Sequence, residues 1–331
     1  MKFSSKIFLL ALCFSSHAFA KVESKFSLGL SLDEVSGVAY ENVYYSGKKI
    51  SELVWDIKDL HMTTLHLETP IIDRLRLRGS YGIAAGPKDY NGTMVDSDWI
   101  GASGSGYDDG NANHENWTHR SWSKVKVEDA QFFDANLSYN FFYNFSFNLG
   151  YKRTQFKWTD KAGDYVYSTF TLRDTTGNFG DQNGINYEQT MKIPYIGLEF
   201  QQPLFNNRLF FNISGAYSNQ VSATSIDHHV FRSLEVNDQF RGGKYYNVGA
   251  SINYMILKNM SLGFAYEYNE VKEMVGNARY TYTTGAPSFS CTTCAGLSNK
   301  YEKFSLSLKY IFDSEFNFLN FNSNEEDDYE N

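Results

Sequence analysis

Two short segments carry the residue types from which a hydrolytic centre could be built. The first is Met94-Val95-Asp96-Ser97-Asp98-Trp99. In an extended chain residues i and i+2 point the same way, so Asp96, Asp98 and Met94 would share one face and Val95, Ser97 and Trp99 the other. Two carboxylates that close cannot both ionise freely. One keeps its proton and can hydrogen-bond a water or a carbonyl oxygen. The second segment is Ser225-Ile226-Asp227-His228-His229, where the same rule gathers Ser225, Asp227 and His229. An aspartate that accepts from one imidazole nitrogen leaves the other as a base that works near neutral pH. Facing a carboxylate pair, such a base can activate a water. Taken singly, each pattern is also common in solvated turns and surface hydrogen bonds. His228 would point away from His229, which argues against a metal held by both.

The segments need a scaffold of extended chain, and the sequence supplies one. Phe133, Ala135, Leu137, Tyr139 and Phe141 alternate with Asp134, Asn136, Ser138 and Asn140. Tyr246, Val248, Ala250, Ile252, Tyr254 and Ile256 alternate with Asn247, Gly249, Ser251 and Asn253, and Phe304, Leu306, Leu308, Tyr310 and Phe312 with Ser305, Ser307 and Lys309. This is the pattern of strands with lipid on one face and a watery lumen on the other. The chain is 17% aromatic, with 24 Tyr and 27 Phe, yet its mean hydropathy is −0.43. It has no apolar run long enough for a membrane helix. Short turns near Glu68–Asp73, Tyr143–Phe145, Phe205–Asn207 and Leu257–Met260 alternate with long polar stretches near 45–49, 86–126, 160–186, 227–243 and 284–300. The count between them predicts an all-β fold, a ten-stranded antiparallel transmembrane barrel. Some strands exceed the roughly ten residues that cross a bilayer, so the barrel should project beyond it.

Lys2 and Lys6, the apolar Ile7 to Phe14 and the small-x-small site Ala18-Phe19-Ala20 predict a signal peptide over residues 1–20. The barrel would then occupy 21–312, and the acidic residues 313–331 would form a solvated tail. The net charge of −8 favours cationic ligands and argues against nucleic acid. Cys291 and Cys294 should pair in an oxidising envelope. Their spacing also matches a redox or zinc half-site, but no second Cys pair or nearby His completes a metal set.

At this point the chain resembles the omptin family of outer-membrane aspartate/histidine proteases. The resemblance is carried in order by Glu41-Asn42-Val43-Tyr44, Ile50-Ser51-Glu52-Leu53-Val54-Trp55, Met94 to Trp99, Trp117-Thr118, Tyr165-Val166-Tyr167-Ser168, Lys192-Ile193-Pro194-Tyr195-Ile196-Gly197-Leu198, Asp227-His228-His229, Tyr245-Tyr246 and Lys309-Tyr310-Ile311-Phe312. It implies a monomeric barrel in the bacterial outer membrane with its groove open to the outside. It implies catalytic Asp96, Asp98, Asp227 and His229, with a water held between His229 and the Asp96/Asp98 pair, and neither a covalent intermediate nor a metal. Cationic peptides would be cut after Arg or Lys. Glu41 would hold the basic side chain and Met94 would line its pocket, since a guanidinium pairs with a carboxylate through two charge-assisted hydrogen bonds.

The chain departs from the family at several positions. Ser225 stands where some members place a second pocket acid, which implies a differently tuned basic preference. His119 replaces an aspartate linked to preference after the cut. Some members need lipopolysaccharide as an activator, and this chain has Gln155, Thr190 and Asn237 where they use basic residues. It keeps Tyr151 and has Arg153 nearby. A second reading is a non-enzymatic surface barrel acting as an adhesin or structural protein. A passive porin is a third, although ten strands enclose little free lumen.

Overall fold

The computed structural model describes residues 25–84, 89–100 and 117–312. The expected signal peptide and acidic tail lie outside the described residues. Twelve strands run in chain order: β1 (Ser27–Tyr45), β2 (Lys48–Ile72), β3 (Leu75–Ala84), β4 (Gly92–Asp98), β5 (His119–Phe142), β6 (Phe145–Tyr167), β7 (Thr175–Gln182), β8 (Ile185–Leu204), β9 (Leu209–His229), β10 (Leu234–Leu257), β11 (Met260–Tyr282) and β12 (Phe289–Ile311). All pair antiparallel, and β12 pairs with β1 to close the ring.

The ring has ten staves, as the sequence predicts. Strands β3 and β4 are two parts of one stave, because β2 and β5 pair with β3 at one end and with β4 at the other. Strands β7 and β8 form another, separated by Asn183 and Gly184, and within β7 the pairing with β6 slips where Gly180 and Asp181 take φ of 76° and 57°. β6 pairs with both of them.

Side-chain alternation divides inside from outside. Leu28, Leu30 and Leu32, Leu262 and Phe264, Val248, Ile252 and Tyr254, and Leu306, Leu308 and Tyr310 are all exposed on the outer wall. They form the apolar belt that lipid covers. The three alternating runs read from the sequence all face outward, as that pattern requires. The inner face changes character along the barrel, and β6 shows it on one strand. Asn148, Gly150 and Lys152 are followed by Phe156 and Trp158 and then by Asp160, all on the inner side. At the level of the belt the lumen holds ion pairs: Arg76–Glu68 at 3.0 Å, Lys303–Glu267 at 2.8 Å, and Arg78 bound to Glu199. Tyr195 donates to Asp134 at 2.7 Å, and its ring lies on Gly150, where a Cβ would collide with it.

Above this network an aromatic layer fills the barrel. Trp55 stacks on Tyr187 with ring centroids 5.1 Å apart, Trp158 on Tyr187 at 5.6 Å and Phe156 on Trp158 at 5.4 Å. A second apolar cluster, including Val221, Phe240, Val271, Met274 and Leu297, fills the opposite half. The lumen is therefore a packed core, which disfavours the porin reading.

The four short turns fall at one end of the barrel, where the sequence puts them. At the other end strand pairing reaches further than expected. The stretch expected as a loop at 227–243 is mostly β9 and β10, joined by a turn of residues 230–233. The stretch at 160–186 is largely β6 and β7, and much of 284–300 is β12. Beyond the membrane the outer face meets water. These strands therefore lose the lipid-facing alternation while keeping their hydrogen-bonded ladders. The β1–β2 hairpin turns through Ser46 and Gly47, with φ of 51° and 77°, the two positive values of a type I′ turn. Cys291 and Cys294 lie on β12 as a close pair, with Cα atoms 6.0 Å apart.

The belt makes a prediction. Leu30→Arg puts a charge on the lipid face and should destabilise the barrel by about 2–4 kcal/mol if the site lies at mid-membrane. Urea-dependent folding into phospholipid vesicles measures this, and an unchanged midpoint would contradict the placement of the belt.

Candidate active site

Five acidic side chains converge inside the projecting end of the barrel. Asp96 and Asp98 come from β4, and Met94, 1% exposed, lies on the same face. The register sets Asp96 beside Leu53 of β2, and Leu53 beside Glu41 of β1, so Glu41 and Asp96 stand in one row across three strands. From β9, Ser225 and Asp227 point inward and are fully buried, while Ile226 between them is exposed. This is the face assignment read from the sequence for both motifs.

His229 Nε2 lies 2.7 Å from Asp227 Oδ2, with the imidazole side chain 16% exposed and the carboxylate 1%. With Nε2 the nitrogen beside Asp227, Nδ1 is the one left to act as a base. His228 points the other way and pairs in register with Glu235 and Asn186. Asp96 and Asp98 lie within electrostatic reach of His229 and of the exposed Arg232. The Ser51 hydroxyl approaches Asp96 Oδ1 at 3.4 Å.

Electrostatics follow from this crowding. Burial pushes the Asp96 carboxyl up to about 8, and the Asp98 charge adds to the rise while Arg232 and His229 oppose it. Burial also raises Asp98. Glu41 is held well above the ordinary carboxylate range by burial, then by the charges of Asp227 and Asp238. Burial pulls the His229 imidazole down, but the Asp227 charge and hydrogen bond outweigh it and leave the pKa above its ordinary 6.5. At neutral pH the site thus offers a proton on the Asp96/Asp98 pair and a basic imidazole oriented by a carboxylate.

Three residues that the sequence reading passed over complete the site. Asp238 of β10 is buried and accepts from Ser225 Oγ at 2.8 Å. Gln189, fully buried on β8, donates to the Tyr187 hydroxyl at 2.9 Å and to the Tyr40 carbonyl at 3.2 Å. Asn299 of β12 donates to Gln189 at 3.1 Å, tying three staves together under the acids. The alternation of Leu234, Val236, Asp238 and Phe240 was the available signal for Asp238, since it puts an acid on an otherwise apolar face.

His119 pairs in register with Asp98, and its Nδ1 lies 3.0 Å from the Thr118 hydroxyl, so it borders the acid pair. Gln155, Thr190 and Asn237 are on the outer wall, away from the acids. Gln155 pairs in register with Thr190, takes a hydrogen bond from Arg153 at 3.0 Å and donates to Glu188. Asn237 donates to Glu235 at 2.8 Å.

A closed ten-stranded barrel with an acid-and-imidazole cluster above an aromatic core defines a narrow class. The Omptin family model matches residues 22–312, and the chain belongs to that family. It is 27% identical to "Outer membrane protease IcsP" of Shigella flexneri, over 93% of this chain and 99% of that protein. It is 25% identical to "Protease 7" of Escherichia coli strain K12, over 86% and 89%. The crystal structure of the outer membrane protease OmpT from Escherichia coli superposes with a TM-score of 0.80 at 23% identity, covering 90% of this chain and all of that one.

The His229 contact can be tested apart from any reaction. Asp227→Asn removes the charge that raises His229, so the imidazole should titrate at lower pH in the variant, read by NMR of the histidine ring protons. The sign for stability follows from linkage: the raised pKa stabilises the fold below the unfolded value near 6.5 and is lost as pH climbs through the folded value. A His229 that titrates identically in both proteins would show that Asp227 does not act on it.

Proposed function

We propose that this chain is an outer-membrane endopeptidase that hydrolyses peptide bonds after Arg or Lys. Water is activated by the Asp227–His229 dyad opposite the Asp96/Asp98 pair. The observation that carries the reading is the 2.7 Å contact between His229 and the buried Asp227, in a chamber where burial also raises the Asp96 and Asp98 carboxyls. The names of the relatives, outer-membrane proteases, support both the activity and the location.

In this mechanism a water lies between His229 and the acid pair, above the aromatic layer. His229 Nδ1 takes one proton from the water, and its oxygen attacks the scissile carbonyl carbon. The proton held between Asp96 and Asp98 hydrogen-bonds the carbonyl oxygen as it gains charge. Asp227 stabilises the imidazolium. The tetrahedral intermediate then collapses, the C–N bond breaks, and the imidazolium proton goes to the leaving amine. Glu41 receives the cationic side chain, and Met94 covers its aliphatic stem.

The same reading takes residues 1–20 as an export signal, the open end of the barrel as extracellular, Cys291–Cys294 as a disulfide formed in the oxidising envelope, and the working protein as a monomer. An activating lipopolysaccharide would meet an outer wall where Arg153 pairs in register with the exposed Lys192.

A quenched fluorescent peptide library, given to the refolded barrel with and without lipopolysaccharide, tests the proposal. Cleavage should follow Arg or Lys, and His229→Ala or Asp227→Ala should lower kcat by about 10⁴-fold while the barrel still folds. Retained activity in either variant would sink the mechanism.

The pH dependence of kcat/KM should be bell-shaped. Its acid limb lies above 6.5, because His229 must be neutral and its pKa is raised. Its alkaline limb lies near 8, where Asp96 loses its proton. In Asp98→Asn, which removes the neighbouring charge, residual activity should lose its alkaline limb at lower pH. An alkaline limb that stays in place would show that the acid pair does not set it.

A further inference from the structure

The inner face of β10 places an aspartate where strand alternation calls for an apolar side chain. Leu234, Val236 and Phe240 on that face are buried in the core, and Asp238 stands among them, 4% exposed. One of its oxygens, Oδ2, accepts from Ser225 at 2.8 Å. The other, Oδ1, is buried with no hydrogen-bond partner, and so is Oε2 of Glu41. Leaving two carboxylate oxygens dry and unpaired is costly, and proteins tolerate it where a ligand supplies the missing donors. Both acids face one space. Each lies within reach of the Asp227 charge, and Glu41 within reach of Asp238. The Tyr280 ring lies close enough to feel Asp238, Glu41 and Asp227 together. A side chain descending between them meets acceptors from β1 on one side and β10 on the other.

We propose that Asp238 is a specificity-determining residue, which with Glu41 forms a two-carboxylate receptacle that favours a planar guanidinium over an ammonium. The inference rests on the peptidase reading only for the identity of the natural ligand. A guanidinium spreads five N–H donors in one plane and can serve two carboxylates at once, whereas an ammonium is a point charge with three donors. Ser225 acts as the clamp: register sets it opposite Asp238, and its hydroxyl fixes one oxygen so that the other faces the pocket.

The experiment uses the refolded full barrel and two readouts. The first is binding of benzamidine, a planar amidinium with no scissile bond, by calorimetry. The second is the ratio of kcat/KM for paired peptides that differ only by Arg or Lys before the cut. Asp238→Asn should weaken benzamidine about tenfold or more and lower the Arg-to-Lys ratio by a similar factor. The exchange variant Ser225→Asp/Asp238→Ser keeps one acid and one hydroxyl at the same depth and should recover most of both. A merely structural role for Asp238 would predict no such recovery of the ratio. Benzamidine that binds Asp238→Asn as tightly as the parent, or that fails to bind the parent, overturns the proposal. Peptides cut after basic residues with a ratio unmoved by Asp238→Asn would leave the peptidase reading standing and this inference fallen. Benzamidine binding that depends on Asp238, without cleavage of any peptide, would do the reverse. If Asp238→Asn does not fold, the exchange variant decides: loss of benzamidine binding there, in a folded barrel, counts against the receptacle.

Discussion

The structure turns on the confinement of like charges. Glu41, Asp96, Asp98, Asp227 and Asp238 arrive from four strands, β1, β4 and the β9–β10 hairpin, and meet in a space walled by buried apolar side chains. Two unit charges about 4 Å apart repel by about 4 kcal/mol at the effective dielectric of a protein site. An arrangement like this survives only if something stronger holds it. That something is the closed hydrogen-bonded ring: no stave can retreat without breaking ladders on both sides. The repulsion is relieved through protonation instead. Burial first, and then the Asp98 charge, raises the Asp96 carboxyl to about 8, so barrel closure, which supplies the burial, also creates the demand for a cation or a bound proton in the chamber.

The layers below the acids explain how the chamber is kept narrow and dry. Ion pairs fill the lumen at the level of the lipid belt, where inward-facing charges would otherwise be stranded. Above them the rings of Trp55, Trp158, Tyr187 and Phe156 seal the barrel. Gln189 then links β8 to β1 and β12 through buried hydrogen bonds. The aromatic floor lowers the local dielectric, which strengthens every charge interaction above it. The same plug that disfavours a channel thus suits the hydrolysis proposed above.

Much of this was legible in the sequence because a strand has a period of two. That rule alone put Asp96 with Asp98 and Asp227 with His229 on shared faces, and the lipid-facing runs with their Tyr and Phe located the membrane-level strands. It served less well beyond the membrane. There the outer face is wet, both faces carry polar residues, and paired strand reads as loop, as between 227 and 243. Asp238 lay in that misread stretch, so its inward alternation with Val236 and Phe240 went unused. Tertiary closure also cannot be read locally. Nothing near Glu41 in sequence announces that Asp96 and Asp238 will share its space, because those proximities depend on register summed around the ring.

Exposure within the site is graded, and the gradient fits the direction of proton transfer proposed above. Asp227 is sealed, His229 is partly open, and Arg232 beyond them is exposed. A carboxylate without solvent keeps its full influence on the imidazole, while the imidazole remains accessible enough to exchange a proton with a water at the mouth. Were Asp227 solvated, its field would be screened and His229 would titrate as an ordinary surface histidine. Were His229 sealed as well, no water could reach its free nitrogen. The one-residue spacing between them, on a strand that rises about 3.3 Å per residue, is enough to carry the chain from the dry layer to the wet one. The Asp-x-His spacing therefore does two things at once: it sets the two side chains on one face, and it sets them at two different depths.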